Sequence, residues 1–324
     1  MSRARTPARL LASLACLACL YALSAGAAPQ GPPPASAAAS PTPVRVEVTL
    51  TGGKGRAAPE PKREDVRVYV DGAERPVVSF EKEEEPVSYG LVVDNSGSLR
   101  SQAAAVVGAA KFLVGRNRPG DEAFVVRFVS SDNIQLLQPL TSDARALGGA
   151  LDSMRIQGGQ TALLDALHLA GEHLVRNAKP AGSAARRLAL VLVSDGEDRE
   201  SSHKVEEVLR PLKAGGVRVY CVGMTGALDD ERGFVTESKR RKAKDLLEKI
   251  ATETGGRFYY AEKGPWLEEA VAEVSANMRA RYFVGYEPPA AAGEAPGKVE
   301  VRLVGAPAKE KLRARVVEPA GGGE

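Results

Sequence analysis

Sulfur and imidazole are scarce in this chain: three cysteines and three histidines among 324 residues. Two of the cysteines, Cys16 and Cys19, sit in an apolar stretch near the start, which leaves Cys221 alone further on. A solitary cysteine excludes an intrachain disulfide framework, and its strand-like setting reads as a buried, inert thiol. His168, His173 and His203 lack the four-residue spacing of a zinc-binding helix, and no third ligand accompanies them. The nucleophile elbow Gly-x-Ser-x-Gly and the phosphate-binding Walker loop are both missing. Tryptophan occurs once and aromatics make up 5% of the chain. Trp266 and the pair Tyr282 and Tyr286 read as packing residues, not as a platform for bases or sugars.

Long hydrophobic runs are equally rare. The only one, Leu10–Leu23, follows Arg3, Arg5 and Arg9 and precedes Ser24-Ala25-Gly26-Ala27. That order of charge, apolar core and small residues is expected of a secretory signal peptide spanning residues 1–27. Its core is short for a membrane span, and the spacing around Cys16 and Cys19 does not fit lipidation. Export to the periplasm or beyond is the expected destination. An excess of one charge is missing too. The 44 lysines and arginines, less three in the leader, give 41 against 41 acidic residues, so composition gives no support to nucleic-acid binding.

What is present divides the rest of the chain. Residues 28–43 are proline, alanine and serine without period, a linker. Over 44–86, valines alternate with polar residues at Val44–Leu50 and Val66–Val70, marking half-buried strands. Asp71-Gly72 reads as a turn with Val77–Phe80 as the returning arm of a hairpin, and Glu81–Glu85 as a solvated connector. From 87 to 280, six strands alternate with helices, which predicts an α/β domain with a doubly wound, mainly parallel sheet covered on both faces. Ile134–Gln138, with only a brief connection before it, is expected to form an antiparallel edge. Strand patterns return over 281–318 before a tail at 319–324. Neither set of end strands makes a stable unit alone, so a small β-sandwich built from both, with the α/β domain inserted, is the economical arrangement.

The chemistry concentrates at three turns. Tyr89–Val93 is an apolar run that breaks abruptly into Asp94-Asn95-Ser96-Gly97-Ser98. Asp94, Ser96 and Ser98 alternate, so a carboxylate and two hydroxyls can converge at the carboxyl end of a buried strand, where open α/β sheets place ligands. Gly158 and Gly159 precede Thr161, which offers a third hydroxyl at the start of a helix. A second apolar run, Leu188–Val193, ends on Ser194 and Asp195. Oxygen-only donors suit a hard divalent cation, magnesium first, with manganese or calcium as alternatives. Each stretch alone reads as helix capping or an ordinary turn; the three together point to metal. Asp165 supports the threonine turn or answers the helix dipole, and Glu197 and Asp198 read as solvent-facing rim residues.

The set Asp94, Ser96, Ser98, Thr161 and Asp195, in order and each after its expected strand or glycine turn, resembles the metal-ion-dependent adhesion site of von Willebrand factor type A domains. The layout from Val44 to Val317 resembles the exported type A proteins first recognised in acidobacteria. The resemblance implies that Ser96, Ser98 and Thr161 ligate the metal directly while Asp94 and Asp195 act through water. It further implies that a partner protein's Asp or Glu completes the coordination. On that reading the protein is an adhesion or assembly module and not an enzyme. The alternatives are an envelope scaffold indifferent to metal, and a magnesium-dependent hydrolase, for which no general base is apparent. The oligomeric state is not legible.

Overall fold

The computed structural model describes residues 42–53, 59–155, 157–179, 186–224, 239–261, 264–289 and 297–317. The leader, nearly all of the linker and the tail expected above lie outside these residues. Among them, no helix is long and apolar enough to cross a membrane.

The chain first lays down β1 (Val44–Gly52), β2 (Val66–Val70), β3 (Ala73–Arg75) and β4 (Val77–Glu84). It then enters the α/β region through β5 (Val87–Asp94), followed by α1 (Ala103–Val114), β6 (Glu122–Phe128) and β7 (Ile134–Thr141). Next come α2 (Ala144–Asp152), α3 (Leu163–Asn177), β8 (Arg187–Ser194), α4 (Val205–Ala214) and β9 (Val217–Gly223). The region closes with α5 (Lys239–Glu253), β10 (Phe258–Tyr260) and α6 (Gly264–Asn277). Finally β11 (Ala280–Tyr286), β12 (Val299–Leu303), the short α7 (Gly305–Lys309) and β13 (Leu312–Val316) return to the first layer.

Six strands form the central sheet in the order β10-β9-β8-β5-β6-β7, parallel except for β7, which runs antiparallel along the edge. β5 lies at its middle and is buried along its whole length. Helices α1, α2 and α6 close one face over residues such as Leu91, Leu113, Leu147 and Val271. Helices α3, α4 and α5 close the other over Phe124, Leu167, Leu192, Leu212 and Ile250. With both faces covered, the strands must be apolar throughout, which is why β5 and β8 read as unbroken hydrophobic runs. Gly90 is a packing requirement: a Cβ there would stand 2.2 Å from the Phe124 ring. From β5 the chain steps outward to β6 and β7, then crosses back to β8 on the other side. The order therefore reverses between β5 and β8, and a crevice opens at their carboxyl ends.

The terminal strands form two antiparallel sheets, β13-β1-β11-β4 and β12-β2-β3. They share one core of Val48, Val66, Val68, Val284, Tyr286 and Val301. Both sheets mix strands from the two ends of the chain: β1 pairs with β11 and β13, and β2 pairs with β12.

Two expectations need correction here. The arm that folds back on β2 is β3, with Val70 opposite Ala73 across Asp71 and Gly72, both at positive φ as a tight two-residue hairpin requires. Pro76 ends β3, having no donor to offer a ladder. The following strand, β4, crosses to the other sheet and pairs with β11. The acidic run is likewise not a connector: Glu81 to Glu84 belong to β4 at the sheet edge, with Glu81 and Glu83 bonded to Arg45. Charge along an edge strand discourages pairing with other chains. Between β5 and α1 the chain makes a 3-10 turn, Gly97–Gln102.

Entry to and exit from the α/β region lie side by side. Glu85 N donates to Arg279 O at 3.1 Å. Arg279 Nε donates to Asp121 Oδ2 at 2.9 Å, while Asp121 Oδ1 accepts from Val87 N at 3.0 Å. Both charged side chains are almost completely buried. If strands from the two ends stabilise each other as this pairing requires, deleting residues 281–324 leaves β1 and β4 without their shared neighbour β11. Limited proteolysis of the truncated protein is expected to digest residues 44–84 rapidly. A segment that stays as resistant as in the full chain would refute the shared core.

Candidate functional site

At the end of β5 the backbone turns so that the Asp94 carboxylate folds over its own loop. Asp94 Oδ1 accepts from Ser96 N at 2.9 Å, and Oδ2 accepts from Ser194 Oγ at 2.7 Å across the crevice. Ser96 Oγ and Ser98 Oγ lie 2.9 Å apart. At the end of β8, Asp195 Oδ1 accepts from Glu197 N at 3.0 Å, while the buried Oδ2 has no hydrogen-bond partner. The next residue, Gly196, stands at φ +83°, and a Cβ there would meet Ala243 O at 2.8 Å. Only glycine lets the β8 loop turn this close beneath α5.

Thr161 arrives from a third loop and is buried. That loop is fastened to the first by Gln157 N, which donates to Asn95 O at 3.2 Å, and by the Asn95 side chain, which donates to Arg155 O. Thr161 O accepts from Arg199 N at 2.9 Å, which fastens it to the β8 loop. Gly159 faces Val129 so closely that a Cβ would stand 2.4 Å from its methyl. Direct or electrostatic side-chain interactions thus link Asp94, Ser96, Ser98 and Asp195. Thr161 joins the same crevice through backbone contacts, and its hydroxyl makes no hydrogen bond to the other four.

The electrostatics of this cup are unfavourable as it stands. Burial, and then the neighbouring Asp195 charge, push the Asp94 carboxyl up to about 6 against the opposing hydrogen bonds of Ser96 and Ser194. Burial also raises Asp195, opposed by the Ser98 hydroxyl and the Glu197 amide. Arg199, whose charge acts on Asp195, is exposed and bonded to Glu197. Two adjacent buried acids without a basic partner are costly unless something positive joins them. Among the described residues no three His, Cys, Asp or Glu side chains converge as a metal-ligating group. The site has instead two carboxylates and three hydroxyls. All are hard oxygen donors and one oxygen is orphaned, a set that fits magnesium or a similar ion.

Around this cup stand residues that the sequence reading missed or misjudged. Ser194 is one: its Oγ accepts from Gly196 N and donates to Asp94, joining both loops. Asp198 is not a rim residue; its Oδ1 accepts from Leu163 N at 2.9 Å and from Ser201 Oγ, capping α3 from 35 residues away. Asp165 settles between its two readings. Oδ2 accepts from Ser131 Oγ and Ser202 N, and Oδ1 from His203 N, so it ties the β6–β7 loop and the β8–α4 loop to α3. Contacts this distant in sequence leave no local signal. Cys221 is fully buried, as its strand context suggested.

A mainly parallel sheet wound on both sides, with an acidic, hydroxyl-rimmed crevice at its switch point, is the architecture of an α/β domain of the type A kind. The sequence profile of the von Willebrand factor type A domain matches residues 90–273, and the chain belongs to that family. Domains of this family generally serve as protein-interaction modules without enzymatic activity. No curated protein matches the chain in sequence. Among solved structures it is similar to an aerotolerance-related membrane protein from Bacteroides fragilis, at 20% identity and TM-score 0.44, over 59% of this chain and 98% of that one. It is similar to a von Willebrand factor type A protein from Catenulispora acidiphila, at 15% identity and TM-score 0.47, over 86% of this chain and 72% of that one. The pilus adhesin SpaC from Lactobacillus rhamnosus GG is similar at 12% identity and TM-score 0.47, over 83% of this chain and 47% of the adhesin.

Asp165 lends itself to a direct check. The backbone amides of Ser202 and His203 and the side chains of His203 and Ser131 outweigh burial and hold its carboxyl well below the usual carboxylate range. A carboxyl depressed on folding contributes stability that is complete above its unfolded pKa and vanishes as pH falls through the folded one. Asp165→Asn is therefore expected to cost about 1.5–3 kcal/mol at pH 7, the worth of hydrogen bonds to a charged group. Urea unfolding at pH 7 and near pH 2 should show the gap between wild type and variant narrowing in acid. A gap that is the same at both would contradict the assignment.

Proposed function

We propose that the protein is an exported protein-binding module that holds a divalent cation, magnesium in the first place, on Asp94, Ser96, Ser98, Thr161 and Asp195. The observation that carries this reading is the pair of buried, adjacent carboxylates without a basic partner, one with an unbonded oxygen, beneath a rim of hydroxyls. When bound, such an ion offers a coordination position to an aspartate or glutamate of a partner protein. The residues divide the work by charge. Asp94 and Asp195 supply the negative charge that retains the ion, and their burial removes competing water. Ser96, Ser98 and Thr161 supply neutral oxygens, so the ion's charge stays largely uncompensated toward solvent and attracts an outside carboxylate. Ser194 and Ser96 N hold Asp94 in one rotamer, which keeps the cup open between partners. The signal-peptide pattern over residues 1–27 supports export.

Metal binding and partner binding are separable by experiment. Wild type is expected to melt higher on adding magnesium or manganese, by about 2.7 kcal/mol of apparent stability at a hundredfold excess over the dissociation constant. Asp94→Ala should abolish the shift and the heat of binding. Thr161→Ala, which removes one neutral oxygen, should weaken the shift less while still losing the partner. A pull-down from native envelope with and without EDTA completes the test: capture that persists in chelator would assign the protein to metal-independent scaffolding. Calorimetry giving equal heats for wild type and Asp94→Ala would sink the metal site itself.

A further inference from the structure

A cleft at the opposite end of the α/β region carries a charge pattern unlike the cup. It opens at the amino ends of β8 and β9, where they meet β1 and β13, and has a volume of about 400 Å³. Volumes of roughly 300–1,000 Å³ are usual for small-molecule sites. Arg186, Arg187, Lys213, Arg218 and Arg315 line it, against only two acids, Glu47 and Glu253. Leu188, Val217 and Val316 supply apolar wall.

The cations are poorly balanced. Glu253 pairs with Lys213 at 3.1 Å, while Glu47 is shared between Arg187 at 3.2 Å and Arg218 at 3.7 Å and is also held at 2.6 Å by Arg281, which has a second acid in Glu85; within the cleft one carboxylate thus answers both Arg187 and Arg218. Burial and the neighbouring Arg218 lower the Arg187 pKa, the mark of a cation short of counter-charge. Arg187 Nη2 is buried without a hydrogen-bond partner. The Arg186 side chain is 9% exposed; its Nη1 serves Ser88, Gly120 and Glu122, but its Nε has no partner. Arg315 is exposed on β13 and pairs with no acid among the described residues. Guanidinium groups match oxyanions in shape and charge, and Arg315 brings one to the cleft wall without a counter-charge.

We infer that this cleft is an anion-binding site for a small molecule bearing a carboxylate or a phosphate, gripped by Arg187, Arg218 and Arg315 with Arg186 behind them. It is independent of the cation cup: the two lie at opposite ends of β8, about 23 Å apart for a strand of this length. The occupant bridges β8 and β9 to β1 and β13, and so ties the α/β region to the sandwich. The carboxylate and phosphate sources are told apart by probe.

The test uses the mature protein in EDTA, so that the cup is out of play. Inorganic phosphate and succinate are titrated separately against sodium chloride at matched ionic strength, by calorimetry and by melting temperature. At least one of the two is expected to bind and to raise the melting temperature above the chloride control; the tighter one identifies the group. Arg187→Gln should weaken that binding at least tenfold. Arg315→Gln, which removes an exposed and unpaired cation and so leaves packing intact, should weaken it about threefold, and decides the matter if Arg187→Gln fails to fold. No effect beyond chloride, or wild-type affinity in Arg315→Gln together with any folded Arg187→Gln, would overturn the inference.

Discussion

The Asp94 and Asp195 carboxylates stand at the ends of neighbouring buried strands, and most of the surrounding loop structure exists to tolerate them. Each was carried to its place by a largely apolar β-strand buried toward that end, so neither is surrounded by the water that would normally screen it. The strand order reverses between β5 and β8, so no connecting loop passes over the gap between them. The two negative charges therefore face each other at the mouth of a crevice and not against a cationic wall. This is an arrangement that folding alone does not favour. It is sustained by hydrogen bonds from Ser96, Ser194 and Glu197, which stabilise the charged forms only incompletely.

Rigidity around that crevice comes from side chains that join loops far apart in sequence. Asp165 and Asp198 each accept several hydrogen bonds, and between them they connect α3, the turn after β6 and the loop after β8. Asn95 does the same for the loop ahead of Thr161. Such buried polar networks are stabilising only when nearly every member is satisfied. Among the described residues Asp195 carries the one buried carboxylate oxygen without a hydrogen-bond partner, which stands out against loops that are otherwise well bonded.

Much of this was legible in the residues. Unbroken apolar runs such as Leu188–Val193 identify strands covered on both faces, and the switch from alternating to unbroken runs after Glu85 marks where the sandwich gives way to the α/β region. The Asp-x-Ser-x-Ser turn, the glycine pair before Thr161 and the Ser-Asp-Gly after β8 located the cup, because each is a local pattern at a strand end. What escaped was set by partners distant in the chain. Asp198 reads as a surface acid until the amides of Leu163 and Leu164 are brought to it. Glu81–Glu84 reads as a linker because its four exposed charges mask a backbone ladder with β11. The short β3 was hidden by Pro76, which splits what looks like one returning arm into two strands in different sheets.

The seam between Glu85 and Arg279 has a mechanical meaning. Because the chain enters and leaves the α/β region at one point, tension applied between the two ends of the described chain does not run through the crevice. It is met first by β1 and β13, antiparallel neighbours with Val48 opposite Val316. Pulled from that shared end, the two strands unzip, losing a single hydrogen bond at each step, and β1 then separates from β11 in the same manner. The load reaches the buried Arg279–Asp121 clasp only after the sandwich has opened. A chain held this way yields under force at the sandwich while the crevice keeps its shape.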